Sequence, residues 1–250
     1  MIFKIDGPGL LHVRSRISSP SLTESVFLAW YDNEHIPEVV STSGIQSAFR
    51  YIDVAKTSAN GDKANPKPFF AFYPMKDLRF TQSDEFRTIS VTGKELPGSG
   101  VVYDLAEFDV GYMAKKSVSE KKGKGGGTAR FILTCGIRPD EDSIPSSQLE
   151  DFYSKQTEEL AQCPGYSRTS MFDLRYARTN ADSRKLKGLP ASDEPSPEPS
   201  TWLAMHELDE RPAEDVVEKI RKDAKQLGEV QGEVYVWELQ KTHGEGKFFD

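Results

Sequence analysis

Apolar and polar residues alternate along 10–17, LLHVRSRI, with Leu11, Val13 and Ile17 on one side and Leu10, His12, Arg14 and Arg16 on the other. This two-residue period predicts a strand with one face under helices and the other toward an interior or its mouth. The period then lengthens. In SLTESVFLAWYDNEHI (21–36) apolar residues return every third or fourth place, which predicts an amphipathic helix. Ser21 and Glu24 have capping-box spacing at its start, and Pro37 is expected to stop it. Strands are predicted at 47–55, 69–75 and 102–110, with a polar loop at 56–67 and a short helix at 83–90.

The same order returns from residue 130. A strand (130–137) is followed by a helix (147–161, with Ser147 and Glu150 at capping-box spacing), a turn at Gly165 and a strand (167–177). A proline-rich loop (188–200) then leads to a strand (202–208), a helix (212–227) and a last strand (233–240). Between the two series, residues 115–129 are rich in lysine and glycine and have no period, which predicts a solvated linker. The chain thus divides into units 1–114 and 130–250, each β-α-β-β-α-β. Such a unit forms a ferredoxin-like antiparallel sheet with both helices on one face. The other face is apolar and must be covered. Packing the two bare faces together closes an eight-stranded α/β barrel within one chain, of class α+β, wide enough for a small ligand. A chain that covers its own faces is expected to be a monomer, or a weak homodimer through exposed strand edges.

Net charge is −7 and the sequence pI about 5.3, which argues against a nucleic-acid partner. No apolar run approaches the roughly 20 residues needed to span a bilayer, and MIFKIDGPGLLHVRS lacks a signal-peptide pattern. The expectation is a soluble cytoplasmic protein with no membrane partner, in which Cys135 and Cys163 are a buried strand thiol and a loop thiol. Phosphate-binding glycine loops, GxGxxG and a nucleophile elbow are absent from the sequence. His12, His35, His206 and His243 are scattered, so no metal site and no cofactor are expected; a haem on one axial histidine stays open.

The order of elements, together with WYDNEHIPEVV followed by SGIQSAFRY, resembles the dimeric α/β barrel superfamily, most closely its EthD-like branch. At motif level the resemblance rests on Trp30, Tyr31, His35, Pro37 and Gly44. The second half departs from it, with Thr157 where the first half has His35. The resemblance implies one of several activities: polyketide cyclase, cofactor-free monooxygenase, decarboxylase, lactone isomerase or haem enzyme, or a non-catalytic stress-related role. It also implies that the helix end lies over a cavity mouth, which makes His35 resemble an acid/base or substrate-positioning histidine.

From the residues themselves, the negative end of the helix dipole is expected to favour protonated His35, and a pKa near 6.5 suits proton transfer. Tyr31, one turn earlier, can offer a hydroxyl to the same site. Taking Phe69, Ala71, Tyr73 and Met75, and likewise Trp202, Ala204 and His206, as the inward faces of their strands puts Tyr73, Trp202 and His206 in the barrel cavity with His12 and Arg14. Each of these has a plainer reading as a core or rim side chain, and Arg14 as the partner of Glu107. The expected function is a cofactor-independent enzyme acting on a small aromatic or polyketide-like molecule in an apolar barrel cavity. In that reading His35, Tyr31 and Tyr73 are catalytic, while Trp30, His12, Arg14, Trp202 and His206 bind substrate. The rivals are a non-catalytic binding protein and a cofactor-free monooxygenase.

Overall fold

The first half contributes β1 (Gly9–Ile17), β2 (Ser47–Asp53), β3 (Phe69–Met75) and β4 (Ala106–Glu120), the second β5 (Phe131–Pro139), β6 (Tyr166–Arg178), β7 (Trp202–Leu208) and β8 (Val230–Gly244). In this computed structural model, which describes residues 4–121, 128–139, 144–190, 199–227 and 230–248, the eight strands close into one antiparallel barrel. Its order is β1-β3-β2-β8-β5-β7-β6-β4. Within each half the strands lie fourth, first, third, second, and the halves meet along two seams, β4 with β6 and β2 with β8. This is the dimeric α/β barrel arrangement made by a single chain.

The β4–β6 seam corrects the expected linker. Lys115–Glu120 continue β4 and pair with Phe172–Arg168 of β6. Lysines and serines suit this extension because most of it is exposed on the seam. The glycine run at 122–127 lies outside the described residues.

Helices α1 (Glu24–Trp30), α2 (Ile36–Val40) and the short α3 (Asp84–Thr88) cover the first sheet; α4 (Ser146–Leu160) and α6 (Glu214–Lys225) cover the second. Neither expected capping box forms. Thr23 caps α1 by accepting the Val26 N–H, and α4 starts after Pro145 without a side-chain cap. The capping box that does form, Thr179 with Asp182, starts α5 (Asn180–Leu186), a helix in the stretch between the strand expected at 167–177 and the loop expected at 188–200.

Apolar side chains separate into three layers: one between helices and sheet in each half, and one inside the barrel. The barrel interior is filled by Phe49, Tyr51, Phe70, Phe72, Phe172 and Trp237 among others, all nearly inaccessible. It is therefore a core along most of its length, as small eight-stranded barrels allow. The alternation of β1 is as expected. That of β3 and β7 is reversed, because directly opposed residues of antiparallel strands share a face. Tyr73 lies opposite Leu11, and His206 opposite Leu133, both helix-facing. Tyr73, Trp202 and His206 thus point out of the barrel toward the helices, and Phe70, Phe72, Leu203 and Met205 point in.

Candidate active site

The helix carrying His35 does not stop at Pro37. Residues 31–35 form a π turn, closed by the Ile36 N–H donating to the Tyr31 carbonyl. Pro37 then falls in the first turn of α2, where its missing N–H leaves no gap. Single π turns of this kind often occur at functional sites. Here the turn sets Trp30, Tyr31 and His35 together. The Trp30 and His35 rings stack with centroids 4.7 Å apart at 16°, and the Tyr31 ring meets His35 at 5.6 Å and 62°. Trp30 is fixed from behind by its indole N–H, which donates to the Thr92 carbonyl at 3.1 Å. Gly93 passes so close that a Cβ there would lie 2.3 Å from the indole.

His35 Nδ1 lies 3.0 Å from the Ser90 carbonyl. A carbonyl only accepts, so Nδ1 carries the proton and Nε2 of the neutral ring keeps its lone pair. Nε2 has no hydrogen-bond partner among the described residues. Burial lowers the His35 pKa to about 4; the Ser90 bond opposes this and the Lys187 charge adds to it. The expected dipole effect is therefore reversed: the helix runs on past His35, and desolvation outweighs a terminal dipole worth at most about 2 kcal/mol.

The His35 ring lines a cavity of about 70 Å³ in the helix–sheet layer of the first half, shared with Trp30, Tyr31, Tyr73, Tyr103, Arg178 and Lys187. That volume is several times what one water needs. The cavity exists because α3 has only five residues, so irregular chain carrying Ile89, Val91 and Val102 completes the cover. The Tyr31 and Tyr73 hydroxyls share a hydrogen bond. Burial raises both phenols and keeps them neutral. The proposed catalytic trio thus meets, outside the barrel.

The remaining candidates lie elsewhere. His12 is half-buried at the barrel mouth, against Phe70 at 4.7 Å, with its pKa lowered to about 3 by burial and by Arg14. It lines a second cavity of about 90 Å³ together with Arg14. Arg14 is already partnered: it binds Glu233 at 2.8 Å and Asn65 at 3.0 Å and lies over Tyr235, while Glu107 pairs with Arg16. Trp202 sits on the outer face of the second half under Lys116, 3.8 Å from the ring centroid. His206 is fully buried between Thr169 and Gln156, each at 2.8 Å, so both its nitrogens are engaged. His206 therefore has no free lone pair to offer a haem iron. Among the described residues no group of three or more His, Cys, Asp or Glu side chains is placed to hold a metal ion, and no helix is long and apolar enough to cross a membrane. Cys135 is a buried strand thiol, and Cys163 is also free.

Sequence reasoning missed Tyr103, Arg178 and Lys187. Arg178 ends β6 just before the Thr179 cap and Lys187 closes α5, so both belong to the second half, yet they line the cavity of the first. The capping-box spacing at Thr179 and Asp182 was the available signal for α5, but nothing in it points across the molecule.

No family model matches the chain. It is 23% identical over 246 residues to "Core atranone cluster (CAC) protein 1" of Stachybotrys chlorohalonatus (strain IBT 40285), covering 96% of this chain and 94% of that protein. Among solved structures, an anthrone oxidase-like protein superposes with a TM-score of 0.54 at 14% identity, covering 97% of this chain and 95% of that one. The second likeness is one of fold.

Proposed function

We propose that the chain is an enzyme that uses His35 as a general base on a small aromatic or polyketide-like molecule held between α1 and the first sheet, without a cofactor. The observation that carries this reading is a neutral imidazole with one nitrogen tied to Ser90 and the other unpartnered, in a cavity walled by aromatic rings. Nε2 would take a proton from an activated C–H or O–H, and the negative charge would pass to the substrate oxygen. Of Tyr31 and Tyr73, both held neutral, the hydroxyl that accepts from its neighbour keeps its own proton to donate to that oxygen. Cyclisation, dehydration and isomerisation begin this way; in decarboxylation CO2 leaves first and the same hydrogen bonds stabilise the enolate oxygen. The EthD-like helix end, from Trp30 to Pro37, supports the assignment of His35.

A second reading shares the first step. The structural neighbour's name, anthrone oxidase-like, points to an aromatic ketone whose carbanion could be oxidised by oxygen. The relative's name, a biosynthetic cluster protein, agrees with small-molecule metabolism under either reading. The test is deuterium uptake in D2O by a panel of hydroxylated aromatics and aromatic ketones, followed by NMR with oxygen consumption recorded in parallel. Uptake that disappears in His35→Ala is expected; oxygen consumption in step with it would select the second reading. Binding without uptake by the unmodified chain would leave the cavity a binding site only.

A further inference from the structure

Four arginines are buried among the described residues: Arg14, Arg50, Arg168 and Arg178. Three have carboxylate partners, namely Glu233 at 2.8 Å, Asp32 at 2.7 Å and Glu207 at 2.7 Å. Arg178, at 8% exposure, has no ion pair among the described residues. One of its terminal nitrogens donates to the Tyr112 hydroxyl at 3.3 Å, and its buried Nε, like Arg14 Nε and Arg50 Nη1, has no hydrogen-bond partner among the described residues. Lys187, a second cation on the same cavity, donates to the carbonyls of Arg87 at 2.7 Å and Ile89 at 2.5 Å and likewise makes no ion pair. The cavity lining has no carboxylate. Asp182 and Glu38, whose charges interact with these cations, are committed elsewhere, Asp182 to the Thr179 cap and Glu38 to the Ser90 N–H; Arg178 also borders the second cavity, whose carboxylates Asp109 and Glu233 pair with Lys67 and Arg14.

Burying a cation without a counter-charge is costly, and here the cost shows. Burial, with Arg178 beside it, lowers the Lys187 pKa to about 8. The rest of the cavity is apolar or aromatic, including Trp30, Phe86 and Phe108. We propose that Arg178 and Lys187 are the anion-binding end of this cavity, so that its ligand is an aromatic molecule bearing a carboxylate or an ionised phenol. A ligand oxygen would give Arg178 Nε its missing acceptor and place the aromatic body against Trp30 and His35. Both cations belong to the second half, so the first half's site is complete only when α5 lies over it. The inference rests on the cavity being the ligand site.

The experiment is calorimetric titration of the full chain with 3-hydroxybenzoate and 3-hydroxybenzamide, which have the same shape and differ in charge. The acid is expected to bind roughly ten-fold tighter, as charge-assisted bonds to two cations imply. Arg178→Gln and Lys187→Gln should each remove most of that preference, weakening the acid far more than the amide, with an unchanged melting temperature reporting an intact fold. Arg178→Lys, which keeps the charge, should retain most of the preference. Equal affinity for acid and amide, an undiminished preference in the two glutamine variants, or failure of both probes to bind would overturn the inference. Deuterium uptake dependent on His35 but with no preference for the acid would leave the proposed function standing and this inference refuted; preference without uptake would do the reverse.

Discussion

Tyr31 and His35 in the first half stand where Tyr153 and Thr157 stand in the second, four residues apart on the helix after each half's first strand. In the first half that helix is broken by a π turn, its companion α3 is five residues long, and a cavity remains beneath them. In the second, α4 runs unbroken for 15 residues and α6 for 12. The Tyr153 hydroxyl donates to the carbonyls of Cys135 and Trp202, at 3.3 and 3.4 Å. Tyr166, Thr169, His206 and Gln156 form a buried chain with 2.8 Å links. Both halves bury a histidine and lower its pKa. Of His35 and His206, only His35 has a ring nitrogen without a hydrogen-bond partner among the described residues, beside open space. A histidine is available for chemistry through the partner it lacks, and burial alone does not confer that.

The sharpest way to break the comparison is to remove each histidine. His35→Ala should lower turnover by about 10²–10⁴-fold, the usual range for a general base, with little change in melting temperature; turnover near the wild-type value would end its role. His206→Ala should behave in the opposite way, costing roughly 2–4 kcal/mol in urea unfolding because it opens a cavity and strands Gln156 and Thr169. Turnover by the folded fraction should be unchanged. A loss of activity without a loss of stability would make the second half a participant.

Acid separates the two histidines further. His35 and His206 have folded pKa values of about 4 and about 3, below the ordinary 6.5. As pH falls through 6.5 the unfolded chain takes up protons that the folded chain refuses, so stability declines from there toward pH 4 and levels off only below the folded values. The base itself stays neutral over most of that window, so kcat/KM should hold to about pH 5 and fall below pH 4. His206→Gln should flatten the stability profile and leave the activity profile in place. The smallest expected effect is that of Thr157→Ala. The Thr157 hydroxyl only returns to the Tyr153 carbonyl of its own helix, so stability should change by no more than about 0.5 kcal/mol and turnover not at all. A measurable loss of turnover would mean that the second half keeps a vestige of the site.

The strand order could be read from the sequence because each strand is a short apolar run closed by turn residues, and each half repeats the order. The faces of β1 could be read as well, since Leu11, Val13 and Ile17 alternate with polar neighbours. Those of β3 could not. Phe69–Met75 is buried at every position, so its own composition does not tell inside from outside, and only the pairing of Tyr73 with Leu11 decides. His35 stood out through its setting among aromatic residues before a proline, but its charge state depended on desolvation by segments 60 residues away. Arg178 and Lys187 were invisible because their meaning lies in a contact across the halves, and RTNADSRKLK (178–187) falls between the strand and the loop that the sequence predicts.

Closing the barrel through β4–β6 and β2–β8 of one chain has a consequence for symmetry. In a barrel made of two identical copies, every substitution appears twice, so a side chain that opens a pocket at one end opens its twin at the other. Here the two ends are encoded separately. One can be filled for strength while the other is hollowed for chemistry, and a loop of one can be shaped to finish the other. Ligand binding at this site should saturate at one molecule per closed barrel, where a symmetric pair would hold two.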